Sequence, residues 1–246
     1  MNHTEISSSA LSKTEPPALL RWTVLFFVSL AMFGNYYIYD SISPLADILK
    51  SQLGFADADI GLLNGIYSLP NVLMVLIGGI IIDRIGTRRA TLIFAVLCVV
   101  GAVMTALEGS LWFMAAGRLV FGLGAESMIV AVTTTLAKWF RGKELSFAFG
   151  LNLTIARLGS FAALNSPTWA RNYYDDWQKP LWIAVMIGLT CVIGAGIYWM
   201  LEGHAQRRYR LGKTDEPEKL IFSDIFRFSL CYWVIVGLCA TFYSGV

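Results

Sequence analysis

The sequence predicts an all-α membrane protein, a bundle of six transmembrane helices followed by part of a seventh. Three observations predict it. Hydrophobic residues make up 56% of the chain and charged residues 15%, with a mean hydropathy of +0.60, whereas a soluble domain carries about 25% charged residues. Seven apolar segments each approach the ~20 residues that cross a hydrocarbon core as a helix. Lys and Arg crowd one side of those segments: fourteen lie in the tail and alternate connections, three lie opposite, and Arg118 and Arg157 lie inside spans. Because placement of basic residues sets orientation, this bias puts the N-terminus in the cytosol and argues against a seven-span receptor, whose N-terminus faces outward.

Residues 1–18 are polar, rich in Ser, Thr and Pro, and lack the basic start and short apolar core of a signal peptide, so they are expected to be a disordered cytosolic tail. The EPPALL stretch at 15–20 fits an acidic dileucine pattern, but its leucines stand at the mouth of the first span, where membrane entry explains them. The spans are expected at 20–43, 60–82, 89–107, 111–140, 145–170, 181–201 and from 225 onward. A six-helix bundle thus occupies 19–202, a basic then acidic cytosolic linker 203–224, and the start of a further bundle 225–246. The chain stops within an apolar run and is expected to be a half-transporter fragment that does not transport alone. Trp22, Trp112, Trp139, Trp177 and Trp182 fall near span ends, as interfacial anchors do.

Four cysteines, Cys98, Cys191, Cys231 and Cys239, sit in apolar runs without ligand spacing and read as small core residues rather than a disulfide or metal framework. His3 and His204 lie outside the spans, which leaves no intramembrane histidine as a proton relay. The spans hold no serine and histidine dyad, paired aspartates or metal-ligand cluster. An enzyme is therefore not expected, nor is any cofactor, metal or nucleic-acid partner.

Two charges stand out. Glu126 lies near the middle of the fourth span and Arg157 near the middle of the fifth. A lone charge at mid-bilayer costs about 2.5 to 3.5 kcal/mol on insertion scales, so it is kept beside a partner or a wet cavity. The alternatives are a salt bridge locking two helices and a ligand site. Since a guanidinium fork suits a carboxylate, a Glu126 and Arg157 site suits a zwitterion. Arg118, Gly122 and Glu126 recur every four residues, and Thr133 and Thr134 are expected to continue that small, polar face; Gly122 and Gly124 permit close helix packing. Thr154 and Ser160 flank Arg157. Asn64, Ser68 and Asn71 share a face of span two, with a kink at Pro70. Tyr36 and Asp40 lie four apart at the outer end of span one. Asn71 and Tyr36 join Glu126 and Arg157 as expected substrate contacts, hydrogen bonding to neighbouring helices being the alternative for each; Tyr67 is expected to pack.

Between spans two and three the chain reads GGIIIDRIGTRR. Gly79 allows close helix contact, Gly86 a tight turn, and Asp83, Arg84, Arg88 and Arg89 form a charge cluster at the membrane face. The spacing resembles the GxxxDRxGxRR signature of the major facilitator superfamily, departing at Thr87, which is often basic there. GRLVFGLG, from Gly117 to Gly124, resembles that family's fourth-helix motif. With YYIYD, YSLPNVL, GAES, WFRGKEL and FGLNLTIARLGS, the chain is similar to the superfamily's lysosomal dipeptide-transporter branch. The resemblance implies two inverted three-helix repeats and facilitated uniport of dipeptides by alternating access, with proton coupling as the alternative. It implies that Glu126 and Arg157 recognise the amino and carboxyl termini, and that Asp83 with Arg84 holds a cytosolic gate against the C-terminal half. Expected partners are a zwitterionic substrate, the lipid bilayer and that missing half. The membrane is the plasma (inner) or the lysosomal one. A carrier of another small solute, such as an organic acid, sugar or drug, and a non-transporting membrane interaction protein are the competing readings.

Overall fold

A computed structural model describes residues 15–142, 144–209 and 229–244. Its helices are α1 (Ala18–Tyr39), α2 (Ala46–Leu53), α3 (Asp57–Gly65), α4 (Ser68–Ile85), α5 (Thr87–Leu107), α6 (Leu111–Trp139), α7 (Leu145–Leu164), the short α8 (Ser166–Trp169), α9 (Gln178–Arg208) and α10 (Leu230–Ser244). Among the described residues, five helices are long and apolar enough to cross a membrane, and the bent pair Asp57–Asn71 and Leu73–Ile85, taken as one span, makes a sixth. The chain divides into two units, Met1–Gly212 and Lys213–Val246. Of the second, the apolar α10 is described; the tail through residue 14 and the linker from residue 210 lie outside the described residues.

Span two is broken as its proline requires. Pro70 has no N–H to offer the carbonyl of Ile66, and that carbonyl instead accepts from the Leu69 N–H at 3.2 Å. The helix stops at Gly65 and restarts at Ser68, and the segments Asp57–Asn71 and Leu73–Ile85 are bent by 46° relative to one another. Two expected boundaries are corrected. The fifth span ends at Leu164, six residues early, because Pro167 opens a separate turn, α8. The sixth span runs through the expected boundary at 202/203 to Arg208, since Glu202 and Gln206 are held in the bundle.

Within the first unit, α5 packs along α6 and α9, α9 along α1, α1 along α7, and α4 along α6. Exchanging α1 with α6, α4 with α7 and α5 with α9 leaves this pattern unchanged. The bundle is therefore two equivalent three-helix repeats, and an odd number of spans per repeat turns the second upside down. Backbones touch directly at the equivalent interfaces. A Cβ on Gly117 would stand 2.7 Å from the Thr105 nitrogen of α5, and one on Gly194 of α9 would stand 2.5 Å from the Phe27 oxygen of α1. Small residues drive helix association where lipid supplies no hydrophobic force.

At the end bearing Arg84 and Lys138, a buried polar cluster joins α5, α6 and α9. The Glu202 carboxylate, 0% exposed, receives Lys138 Nζ at 2.5 Å, Gln206 Nε2 at 2.9 Å, Thr87 Oγ1 at 3.3 Å and the Tyr198 hydroxyl. Thr135 Oγ1 donates to the Tyr198 hydroxyl at 3.0 Å. The expected continuation through Thr133 and Thr134 is corrected: Thr133 is exposed and Thr134 half-buried, while Thr135 is buried and, besides its bond back to Ala131, meets Tyr198. Trp139 is likewise buried among the helices at 2% exposure rather than anchored at an interface. Removing Lys138 alone strands a buried carboxylate, so Lys138→Met is expected to cost about 3–5 kcal/mol, and Lys138→Met with Glu202→Leu less than Lys138→Met alone. A double-mutant cycle on thermal unfolding measures this; additive costs would deny the coupling.

Candidate functional site

The site is built on two helix pairs that the repeat exchange relates, α4 with α6 and α1 with α7. In the first pair the helices run in the same direction, in register. Gly122 of α6 lies against the Tyr67 carbonyl and Pro70, and four residues further along each helix Glu126 meets Asn71. Asn71 Nδ2 donates to Glu126 Oε1 at 3.1 Å, while Asn71 Oδ1, buried, has no hydrogen-bond partner. Glu126 is half-buried at the centre of α6. Gly124 faces away from α4 toward α5, where a Cβ would stand 2.6 Å from the Phe94 oxygen.

In the second pair Gly159 of α7 lies against the Phe33 carbonyl of α1. Arg157 is exposed, with its guanidinium carbon 5.2 Å from the centroid of the half-buried Tyr36 ring, a cation–π contact. Rings lead from this pair toward the other: Tyr36 to Tyr39 at 6.0 Å, Tyr39 to Tyr67 at 4.6 Å. Glu126 and Arg157 are not paired with each other among the described residues. Each rests on a neutral neighbour, which leaves both charges available to a ligand.

Arg118 does something the sequence did not suggest. It is 1% exposed, and its fork donates from Nε to the Leu63 carbonyl at 3.1 Å and from the terminal nitrogens to the Ile38 and Tyr39 carbonyls at 3.0 and 2.8 Å. Its guanidinium carbon lies 4.9 Å from the Tyr67 centroid. The cation meets the negative end of the α1 dipole and satisfies the Tyr39 carbonyl, which the helix cannot, while the Ile38 carbonyl also accepts from Ser41 Oγ at 2.7 Å. Arg118 thus ties α1, α3 and α6 behind the aromatic row.

Other expected contacts go elsewhere. Asn64 Oδ1 accepts from Ser43 at 3.4 Å, Ser68 is exposed, and Thr154 bonds back to Gly150. Ser160 is buried with its hydroxyl unpartnered, and Tyr67 packs as expected. In the loop signature, Gly86 makes the turn with φ +82°, a conformation that favours glycine. The close contact expected at Gly79 belongs to Gly78, whose Cβ would stand 2.9 Å from Ser127 Cβ, while Gly79 faces open space. The expected charge cluster is not closed: Asp83, Arg84 and Arg89 are exposed, and Arg88 lies over the Trp199 ring at 4.0 Å. Thr87, where the signature departs, reaches Glu202.

The model of the Major Facilitator Superfamily matches residues 25–246. The chain belongs to that superfamily. As a major facilitator with five or six apolar spans among the described residues, it is a multi-pass membrane protein. It is 35% identical over 257 residues to the Bos taurus protein named lysosomal dipeptide transporter MFSD1, an alignment covering 98% of this chain and 54% of that protein. Its identity to the Homo sapiens protein of the same name is 36% over 241 residues, covering 92% and 51%. The chain spans about half the length of these curated relatives. A crystal structure of tetrameric PepTSo2 shares the major facilitator fold at a TM-score of 0.63 and 18% identity, covering 90% of this chain and 47% of that one.

Proposed function

We propose that this chain forms the substrate-recognising half of a dipeptide uniporter, working by alternating access in a lysosomal membrane with its N-terminus in the cytosol. The reading is carried by one observation: an acid and a base on repeat-related helix pairs, each resting on a neutral side chain rather than on the other. A dipeptide offers the complementary charges, its ammonium to Glu126 beside Asn71 and its carboxylate to the Arg157 fork beside Tyr36. The printed names of the relatives and the half-length match support the same reading. A second bundle completes the cavity and takes turns with this one in closing it. Asp83 and Arg84, exposed and without an ion pair among the described residues, are free to dock on that second bundle as the gate, and Gly79 leaves open space beside them.

Thermal unfolding of the full-length protein that carries this chain tests the substrate class, because a ligand that binds the folded state raises its stability. Glycyl-leucine at millimolar concentration is expected to raise the unfolding temperature, while glucose and succinate leave it unchanged. Stabilisation by a sugar or a dicarboxylate with none by dipeptides moves the assignment to another solute class.

A further inference from the structure

The dipeptide reading leaves one atom unexplained. Asn71 Oδ1 is buried with no partner, and a buried polar atom of this kind is rare and costly unless something else satisfies it. The amide cannot turn to relieve it. Glu126 as a carboxylate only accepts, so Asn71 must present its Nδ2 to Oε1. The result is a fixed polarity: the amide spends a donor on the carboxylate and carries its oxygen beside it. The other Glu126 oxygen takes no protein hydrogen bond among the described residues. Two acceptors on neighbouring helices thus await donors, one charged and one neutral, and the close approach of Gly122 to Tyr67 and Pro70 fixes the register that keeps them together.

We infer that Asn71 is a specificity residue for the ammonium end of the substrate, its Oδ1 accepting a second N–H while Glu126 takes the first. The inference rests on the zwitterion reading and adds a counting rule to it. The site requires a cation with at least two N–H groups: a primary ammonium has three, an N-methyl or N-terminal prolyl ammonium two, an N,N-dimethyl ammonium one. A single acceptor would tolerate the dimethyl form. Two acceptors place the step between the monomethyl and dimethyl peptides, and losing one charge-assisted hydrogen bond is worth about tenfold or more in affinity.

The test is competition for uptake by the full-length protein in proteoliposomes, with glycyl-leucine and its N-methyl, N,N-dimethyl and N,N,N-trimethyl forms. The wild type is expected to hold the first two within about threefold of one another and to weaken about tenfold or more at the dimethyl form. In Asn71→Leu, and in Asn71→Ala should the larger side chain hinder folding, the step is expected to vanish while glycyl-leucine still competes. A wild-type series that declines evenly with each methyl group, or a variant that keeps the step, overturns the role of Asn71 and leaves the dipeptide reading standing. If glycyl-leucine itself does not compete, both fall.

Discussion

Glu126→Gln in the full-length protein is expected to weaken dipeptide binding by about 30-fold or more. Truncating one partner of a desolvated, hydrogen-bonded charge pair costs about 2–5 kcal/mol, and each 1.4 kcal/mol is tenfold. Glutamine keeps the size of the side chain and its bond to Asn71, so the loss reports charge rather than packing. Arg157→Gln is expected to do the same at the other end, and Arg157→Lys less, since an ammonium keeps the charge and gives up the fork. The two variants separate by ligand. A peptide amide, which has lost its carboxylate, still feels Glu126→Gln and becomes nearly blind to Arg157→Gln. Uptake at wild-type rates in both variants would remove these residues from the site.

Arg118→Leu is expected to cost about 3–5 kcal/mol of stability, a large share of what holds a folded domain together. The Leu63 and Tyr39 carbonyls lose their donor at once, while Ile38 keeps the Ser41 hydroxyl, and each buried acceptor left bare costs about 1–3 kcal/mol. Arg118→Lys is expected to fall between, because one ammonium cannot hold all three oxygens in the geometry a planar fork allows. Thermal unfolding in detergent is the measurement. A leucine variant within about 1 kcal/mol of wild type would mean that water replaces the guanidinium.

The helices were legible because a long apolar run has one reading in a membrane, and Pro70 announced its own break. Glu126 and Arg157 were legible because a charge amid apolar residues is conspicuous. What escaped notice lacked a local signal. Glu202 is the last residue of the expected bundle, just past the apolar run and beside the polar linker, and its partner Lys138 is sixty-four positions away. The acceptors of Arg118 are backbone carbonyls, which every residue has, so no side-chain pattern marks them. Gly78 and Gly79 are adjacent, and composition cannot say which one the helix turns toward Ser127; packing decides. Trp139 sits at a helix end in the sequence, yet its burial depends on how α6 meets its neighbours.

The Arg118 fork also sets an order of events during synthesis. The Tyr39 carbonyl at the end of the first span waits for a side chain made seventy-nine residues later. At about 5–20 residues per second, the nascent first repeat spends several seconds with that oxygen still without its guanidinium donor. The ends of α1 and α3 are therefore completed only by the arrival of the fourth span. A ribosome halted before Arg118 would leave those two helix ends without the cation that ties them together.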